Sequence, residues 1–149
     1  MELTGEYEVD APRERVWTLL NDPETLKACI PGCQDLTANG DDAFAATVVL
    51  KIGPIKAKFN GEVTLSDKVH PESYKISGEG KGGIVGFAKG SADVHLADNG
   101  GSTTLTYKVN ADVGGKIAQL GSRLISSTSK KLADEFFGKF AKIAGAPVA

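Results

Sequence analysis

A chain of 149 residues with 41% hydrophobic and 24% charged side chains has the composition of one globular domain, and we take residues 1–149 as that domain. The formal net charge of −2 argues against nucleic acid as a partner, and no apolar run approaches the roughly 18 residues that a membrane span requires. The first residues contain no secretory signal, so we expect a cytoplasmic protein.

The N-terminal third predicts one strand and two short helices. Residues 2–9 alternate apolar with acidic or polar side chains, which is typical of a strand with one buried face. The segment DAPRERVWTLLND predicts a helix with Pro12 in its first turn. A second short helix in PETLKAC ends before Pro31-Gly32.

From Gln34 to Asp112 the pattern is that of about six strands joined by tight turns, predicted at residues 34–38, 43–51, 55–67, 74–81, 87–96 and 103–112. Connections this short favour antiparallel neighbours. The glycine-rich GKGGIVG segment is not followed by a helix and has no GxxxxGK[ST] pattern. We therefore interpret it as a flexible β-turn and not as a phosphate-binding loop.

The last stretch, from Gly114 to Ala144, predicts one long helix of about 45 Å. Its apolar stripe repeats at every fourth residue and therefore winds around the helix: Leu124, Thr128, Leu132, Phe136 and Phe140. A winding stripe suits a helix held in a curved sheet. The predicted fold class is α+β: a curved antiparallel sheet of about seven strands wrapped around the long C-terminal helix, with two short helices after the first strand.

Small residues are predicted on both sides of the space between sheet and helix. Gly78, Gly80, Ala88 and Gly90 occupy inward strand positions, and the facing helix offers Gly121, Ser122, Ser126 and Thr128. Either the helix packs unusually close to the sheet, or an apolar pocket remains between them. For that pocket we predict ten ligand-binding residues: Trp17, Phe44, Phe59, Tyr74, Gly90, Tyr107, Leu120, Leu124, Thr128 and Phe136.

The sequence offers no catalytic or metal-binding group. Cys29 and Cys33 do not have the C-x-x-C spacing, no second pair completes a zinc site, and we expect both to be reduced, buried thiols. His70 and His95 fall in a turn and at an outward strand position, so we expect them at the surface. No serine lies in a nucleophile-elbow pattern.

The C-terminal segment is basic, whereas the rest of the chain is acidic. Residues 114–149 hold six basic and two acidic side chains: Lys116, Arg123, Lys130, Lys131, Lys139 and Lys142 against Asp134 and Glu135. This can be a solvated outer face of the helix. It can also be a surface for anionic lipid headgroups or an acidic partner protein.

Two levels of resemblance to known families follow from these segments. The A-P-x-x-x-V-W pattern after the first strand, together with the long C-terminal helix, resembles the START-like helix-grip superfamily, which includes polyketide cyclases and plant hydrophobic-ligand carriers. The segments LKACIPGCQ, GKGGIVGFAKGSADVHL, GGKIAQLGSRLI and ADEFFGKF resemble the carbon monoxide dehydrogenase CoxG family. This resemblance covers essentially the whole chain.

The resemblance implies an apolar cavity between sheet and helix, and a non-catalytic protein associated with molybdenum-containing carbon monoxide dehydrogenases at the cytoplasmic membrane. We therefore expect a lipid or a quinone as a non-covalent ligand, a dehydrogenase of this type as partner, and peripheral contact with the inner face of the membrane. Two alternatives stay open. One is an assembly factor without a ligand, and the other is a cyclase or hydratase that uses Tyr74 or Tyr107 as a hydroxyl donor.

Overall fold

Seven strands and three helices make up the structure, a computed structural model that describes residues 1–145. Residues 146–149, the last four of the predicted domain, lie outside the described part. The elements are β1 (Glu2–Val9), α1 (Arg13–Leu20), α2 (Pro23–Cys29), β2 (Cys33–Ala38), β3 (Ala43–Ile52), β4 (Ile55–Val69), β5 (Ser73–Lys81), β6 (Phe87–Asn99), β7 (Ser102–Gly114) and α3 (Ser122–Ala144).

The strands form one antiparallel sheet in the order β1-β7-β6-β5-β4-β3-β2. Neighbours in sequence are neighbours in the sheet from β2 to β7, as the short turns predict, and β1 then pairs with β7. The predicted fold class is confirmed: one curved antiparallel sheet of seven strands, a long C-terminal helix, and two short helices after the first strand.

Side-chain alternation decides which face of the sheet lies toward α3. Along β4 the buried residues Ala57, Phe59 and Leu65 alternate with exposed Lys56 and Lys58. Because successive side chains of a strand point to opposite faces, β4 presents an apolar concave face and a charged convex face.

The predicted start of the long helix is wrong. β7 continues to Gly114, a short 3-10 helix follows at Lys116–Leu120, and α3 begins only at Ser122. Gly115 and Gly121 flank the 3-10 segment with φ angles of 80° and 95°, a left-handed region that L side chains rarely adopt. Glycines in that conformation turn the chain twice, so α3 has 23 residues and a length of roughly 35 Å.

Two apolar clusters hold α3 against the sheet, one at each end. The C-terminal half buries Phe137, Phe140 and Ala144 in the larger cluster, which includes Leu20 of α1 and other side chains of α1, α2 and the strands. The N-terminal half contributes Ile125 to a smaller cluster with four other buried residues: Ile52, Ala57, Phe59 and Ile117.

The predicted winding stripe is therefore only partly correct. Phe140 is fully buried, whereas Leu124, Thr128, Leu132 and Phe136 are half-buried. The physical reason is that the middle of α3 does not touch the sheet, so the side chains that point toward it there face open space.

Candidate ligand-binding cavity

A cavity of about 310 Å³ lies between the concave face of the sheet and the N-terminal half of α3. This volume falls at the lower end of the range of small-molecule pockets. The larger apolar cluster lies on the side of the C-terminal half of α3, and residues of the smaller cluster, among them Ile52 and Ile117, line the cavity on the side where α3 begins.

The floor of the cavity consists of two adjacent rows of cross-strand partners whose side chains are small. One row runs from β3 to β7 through Ala46, Gly61, Gly80, Ala88 and Val113. The next runs from β4 to β7 through Val63, Gly78, Gly90 and Ala111. The register of five strands places three glycines and an alanine at the middle of these rows, where longer side chains would fill the space.

The glycines differ in how much room they leave. A β-carbon on Gly78 would meet only the carbonyl oxygen of Glu62, at 3.8 Å, and would project into open space. One on Gly61 has no room, because the carbonyl of Glu79 occupies that place. Gly78 is therefore the floor position at which a side chain can enter the cavity without moving the backbone.

The roof supplies the polar groups. α3 places Ile125 and Leu132 above the floor, with Thr128 and Ser129 between them. The hydroxyl groups of Thr128 and Ser129 can each donate or accept one hydrogen bond to a ligand. This end of the cavity wall is thus mildly polar, while the floor is backbone and methyl groups.

The charged residues that border the cavity point away from it. Glu62, Glu79, Lys89 and Asp112 alternate along their strands with the inward glycines, alanines and valines, and all four are exposed. Among the described residues that line the cavity, the inward-pointing side chains are therefore uncharged.

Of the ten predicted ligand-binding residues, three line the cavity: Phe59, Gly90 and Thr128. Trp17, Phe44, Tyr74 and Tyr107 belong to the larger apolar cluster, and Phe136 packs against it. Leu120 packs against the smaller cluster. Leu124 lies against Gly53 in the turn between β3 and β4.

Aromatic rings in the larger cluster pack against one another. The ring of Tyr107 stacks on Phe137 with centroids 4.3 Å apart and planes 12° apart. Trp17 meets Tyr74 edge to face at 5.9 Å. Burial raises the pKa of Tyr74, whose hydroxyl has no hydrogen-bond partner in the structure. Large rings fill the space they occupy, so a prediction that chose aromatic side chains selected the packed end of the interior.

Sequence reasoning missed most of the cavity wall. The missed residues are aliphatic or small: Ala46, Val48, Leu50, Ile52, Gly61, Val63, Gly78, Gly80, Ala88, Ala111, Val113, Ile117, Ile125, Ser129 and Leu132. The signal that could have found them is the run of small residues at inward positions of neighbouring strands.

Two further properties concern metals and membranes. Within residues 1–145, no three His, Cys, Asp or Glu side chains lie together in a way that could hold a metal ion. None of the helices in this part of the chain combines the length and the apolar character needed to cross a membrane.

An antiparallel sheet that holds a C-terminal helix over a cavity is the architecture of START-like proteins. The chain is similar to a START superfamily protein from Mycobacterium smegmatis, at 17% identity and a TM-score of 0.63, over 95% of this chain and 98% of that one. It is also similar to the Zhui aromatase/cyclase from Streptomyces sp. R1128, at 9% identity and a TM-score of 0.71, over 97% and 93% of the two chains. At these identities the likeness shows the fold alone.

The family follows from a more specific match. The sequence profile of the carbon monoxide dehydrogenase CoxG family matches residues 5–145, and the chain belongs to this family. A conserved protein from Geobacillus kaustophilus is 34% identical, with a TM-score of 0.89 over 97% of this chain and 95% of that one. No curated protein matches the chain. Both levels of the resemblance predicted from the sequence are thereby confirmed.

Proposed function

We propose that this protein is a non-enzymatic accessory protein that binds an uncharged lipophilic small molecule, a quinone or a neutral lipid, in the cavity beneath α3. The observation that carries the proposal is an apolar cavity whose floor is built from glycine and alanine in register. Family membership and the START-like fold support an accessory role with a hydrophobic ligand.

The ligand is expected to be uncharged because a buried ion needs a partner. Moving an unpaired charge out of water is far costlier than moving a neutral polar group, and the cavity wall offers no counter-ion. The hydroxyls of Thr128 and Ser129 suit a carbonyl or hydroxyl group on an otherwise apolar molecule. A quinone has this chemistry, and a fatty-acid anion does not.

The partner and the location form part of the same proposal. The family name contains carbon monoxide dehydrogenase, which supports association with an oxidoreductase of that kind. A lipophilic ligand has its reservoir in a bilayer, so the proposed function includes peripheral contact with the inner face of the cytoplasmic membrane.

Filling the cavity from Gly78 tests the proposal. Gly78→Leu should abolish binding of menadione in equilibrium dialysis, and the smaller Gly78→Val should weaken it, because each side chain projects into the ligand volume. The matched control is Ser77→Leu, which adds the same side chain on the opposite face of β5. Gly90 is less suitable, since its β-carbon would stand 3.2 Å from the carbonyl oxygen of Asn110.

A second experiment tests the charge of the ligand. At pH 8 decanol should bind at least tenfold more tightly than decanoate, because only the acid carries a charge into the cavity. Equal binding of the two, or menadione binding that survives Gly78→Leu, would overturn the proposal. Loss of binding in Ser77→Leu would also count against the cavity as the site.

Co-purification with a dehydrogenase separates the ligand-free alternative. An interaction that persists unchanged in Gly78→Leu, with no ligand extracted from the wild type by organic solvent, would favour an assembly factor. The cyclase alternative gains no support from the described residues, since Tyr74 and Tyr107 both lie outside the cavity lining.

A further inference from the structure

The end of the molecule at which α3 begins is formed by three connections. They are the β3–β4 turn around Gly53, the glycine-rich segment 82–86 between β5 and β6, and residues 115–121 between β7 and α3. The antiparallel register brings them together, since Lys81 pairs with Phe87 and Phe87 pairs with Gly114. Leu124 packs on Gly53 and joins the helix start to the first turn.

Exposed apolar side chains concentrate at this end. Within residues 1–145, three of the four exposed large hydrophobic side chains lie here: Met1, Ile84 and Phe87. Ile84 is 89% exposed at the tip of the segment between β5 and β6, and Phe87 is 46% exposed at its base. The adjoining Gly83 and Gly86 have φ angles of 62° and 117°, which make the segment a narrow loop. The loop therefore holds an isoleucine in water, where apolar side chains gathered at one surface indicate a docking site.

Basic side chains surround this apolar tip. Segments 51–58, 81–88 and 113–123 contain six basic residues and no Asp or Glu: Lys51, Lys56, Lys58, Lys81, Lys116 and Arg123. All six are exposed, and none takes part in the ion pairs found within residues 1–145. The remaining 11 basic side chains of the sequence are set against all 19 acidic ones, so the molecule has one positive end and a negative body.

Two of these lysines repel each other across a pair of strands. Lys51 of β3 is the direct cross-strand partner of Lys56 of β4, and like charges in this relation destabilise a sheet. An anionic surface would remove that repulsion. The charges at this end thus have a use in contact with something negative.

We infer that this end, which we call the basic tip, docks on an anionic lipid bilayer. In the docked state Ile84 and Phe87 enter the interfacial layer, and the six cations contact phosphate and carboxylate headgroups. An apolar side chain at the point of a narrow loop, surrounded by four to eight cations, matches the chemistry of a bilayer interface, which is apolar beneath an anionic surface. An acidic protein would pair with the cations but would leave Ile84 without an apolar environment.

The inference rests on the membrane contact in the proposed function and gives it a surface and an orientation. The outer face of α3 is a weaker candidate, because Lys130 is already paired with Asp134 at 3.3 Å and Glu135 lies beside it. Docking by the basic tip brings the bilayer to the end of the cavity that is covered by Ile52, Ile117 and Ile125. One layer of apolar side chains would then separate the cavity from lipid.

Flotation with vesicles tests the inference on the full chain without added ligand. Wild-type protein should bind vesicles of phosphatidylcholine with 30% phosphatidylserine and should not bind pure phosphatidylcholine. Lys51→Gln/Lys56→Gln should weaken binding at least tenfold, since each basic side chain near the surface contributes about fivefold. The matched control, Lys131→Gln/Lys142→Gln, removes two exposed charges from α3 and should change binding less than twofold.

Insertion of the tip has its own measurement. Trp17 is buried and is the single tryptophan of the chain, so an added tryptophan gives a separate signal. The fluorescence of Ile84→Trp should shift to the blue on anionic vesicles and be quenched by brominated lipid. Val69→Trp, at an exposed position on the opposite end of β4, should show neither effect.

Three results would overturn the inference: no preference for anionic vesicles, equal losses in the two lysine pairs, or equal quenching of the two tryptophans. A chain that ignores vesicles but loses dehydrogenase binding in Lys51→Gln/Lys56→Gln would show a protein interface instead. Menadione binding in the same variants keeps the two proposals apart. It should stay unchanged, and a wild type that docks but binds no ligand would contradict the cavity function alone.

Discussion

Gly5 of β1 and Tyr107 of β7 are cross-strand partners, and the tyrosine ring lies where a side chain on Gly5 would stand. The other face of the same ring stacks on Phe137 of α3. The absence of a side chain at Gly5 therefore lets one ring join the edge strand, its neighbour and the C-terminal helix.

Gly5→Ala should destabilise the protein by about 1–3 kcal/mol, because the new methyl group overlaps the Tyr107 ring and the stack on Phe137 prevents the ring from moving away. Urea unfolding followed by circular dichroism measures the change. An unchanged midpoint would mean that the ring has another rotamer available.

The same substitution in the middle of α3 should have the opposite sign. Gly138 lies inside the helix, and a β-carbon there meets no atom within 4 Å. Gly138→Ala should raise the free energy of unfolding by about 0.5–1 kcal/mol, since alanine loses less backbone entropy than glycine on forming a helix. A destabilised Gly138→Ala would show that the groove between α2 and α3 is occupied.

The three tyrosines should resist ionisation in the folded protein. Burial and a hydrogen bond to Asp134 raise the pKa of Tyr7 to about 12, and burial raises the pKa of Tyr74 and Tyr107 above the ordinary value of 10.0. The hydroxyl of Tyr7 donates this bond to Oδ1 of Asp134 over 3.0 Å. Absorbance at 295 nm should therefore show little tyrosinate at pH 10, whereas urea-unfolded protein should be half ionised there.

These shifts also give a direction to alkaline stability. The folded state holds the phenol protons more tightly than the unfolded state, so this contribution is complete below pH 10 and is lost as the pH rises toward 12. Between these values Tyr7→Phe should lose stability less steeply than the wild type in urea unfolding. Parallel curves would contradict the raised pKa of Tyr7.

The two thiols should differ in reactivity. Burial raises the pKa of Cys29 to about 11 and also raises that of Cys33, and Cys29 is only 2% exposed. With Ellman's reagent at pH 8 the folded protein should release one slow equivalent from Cys33, and the second only after unfolding. Two fast equivalents, or one that survives Cys33→Ser, would place Cys29 in contact with solvent.

Local patterns predicted most of the fold and little of the cavity. Alternation along a strand such as β4 is visible in the sequence, and short turns leave antiparallel pairing as the only option. The start of α3 failed because GGKIAQLG contains good helix formers, while the left-handed φ angles of Gly115 and Gly121 depend on contacts between distant segments. Gly115, for example, lies against Gly86.

The cavity depended on register, which one strand cannot show by itself. Gly78 and Gly90 are ordinary inward positions of β5 and β6 until pairing places them side by side, with Ala111 as the next partner. Among the predicted site residues, Phe59, Gly90 and Thr128 came from this small-residue pattern or lie next to it. The aromatic residues were chosen for their size, and size is what closes an interior space.

The two rows of small residues also make the binding volume adjustable in single steps. Each row position belongs to a different strand, and an added methyl group at a position such as Gly78 takes up space without altering a backbone hydrogen bond. Relatives that share this sheet could therefore accept molecules of different length by exchanging one or two floor residues. Ligand choice in such a scaffold can change while the fold stays constant.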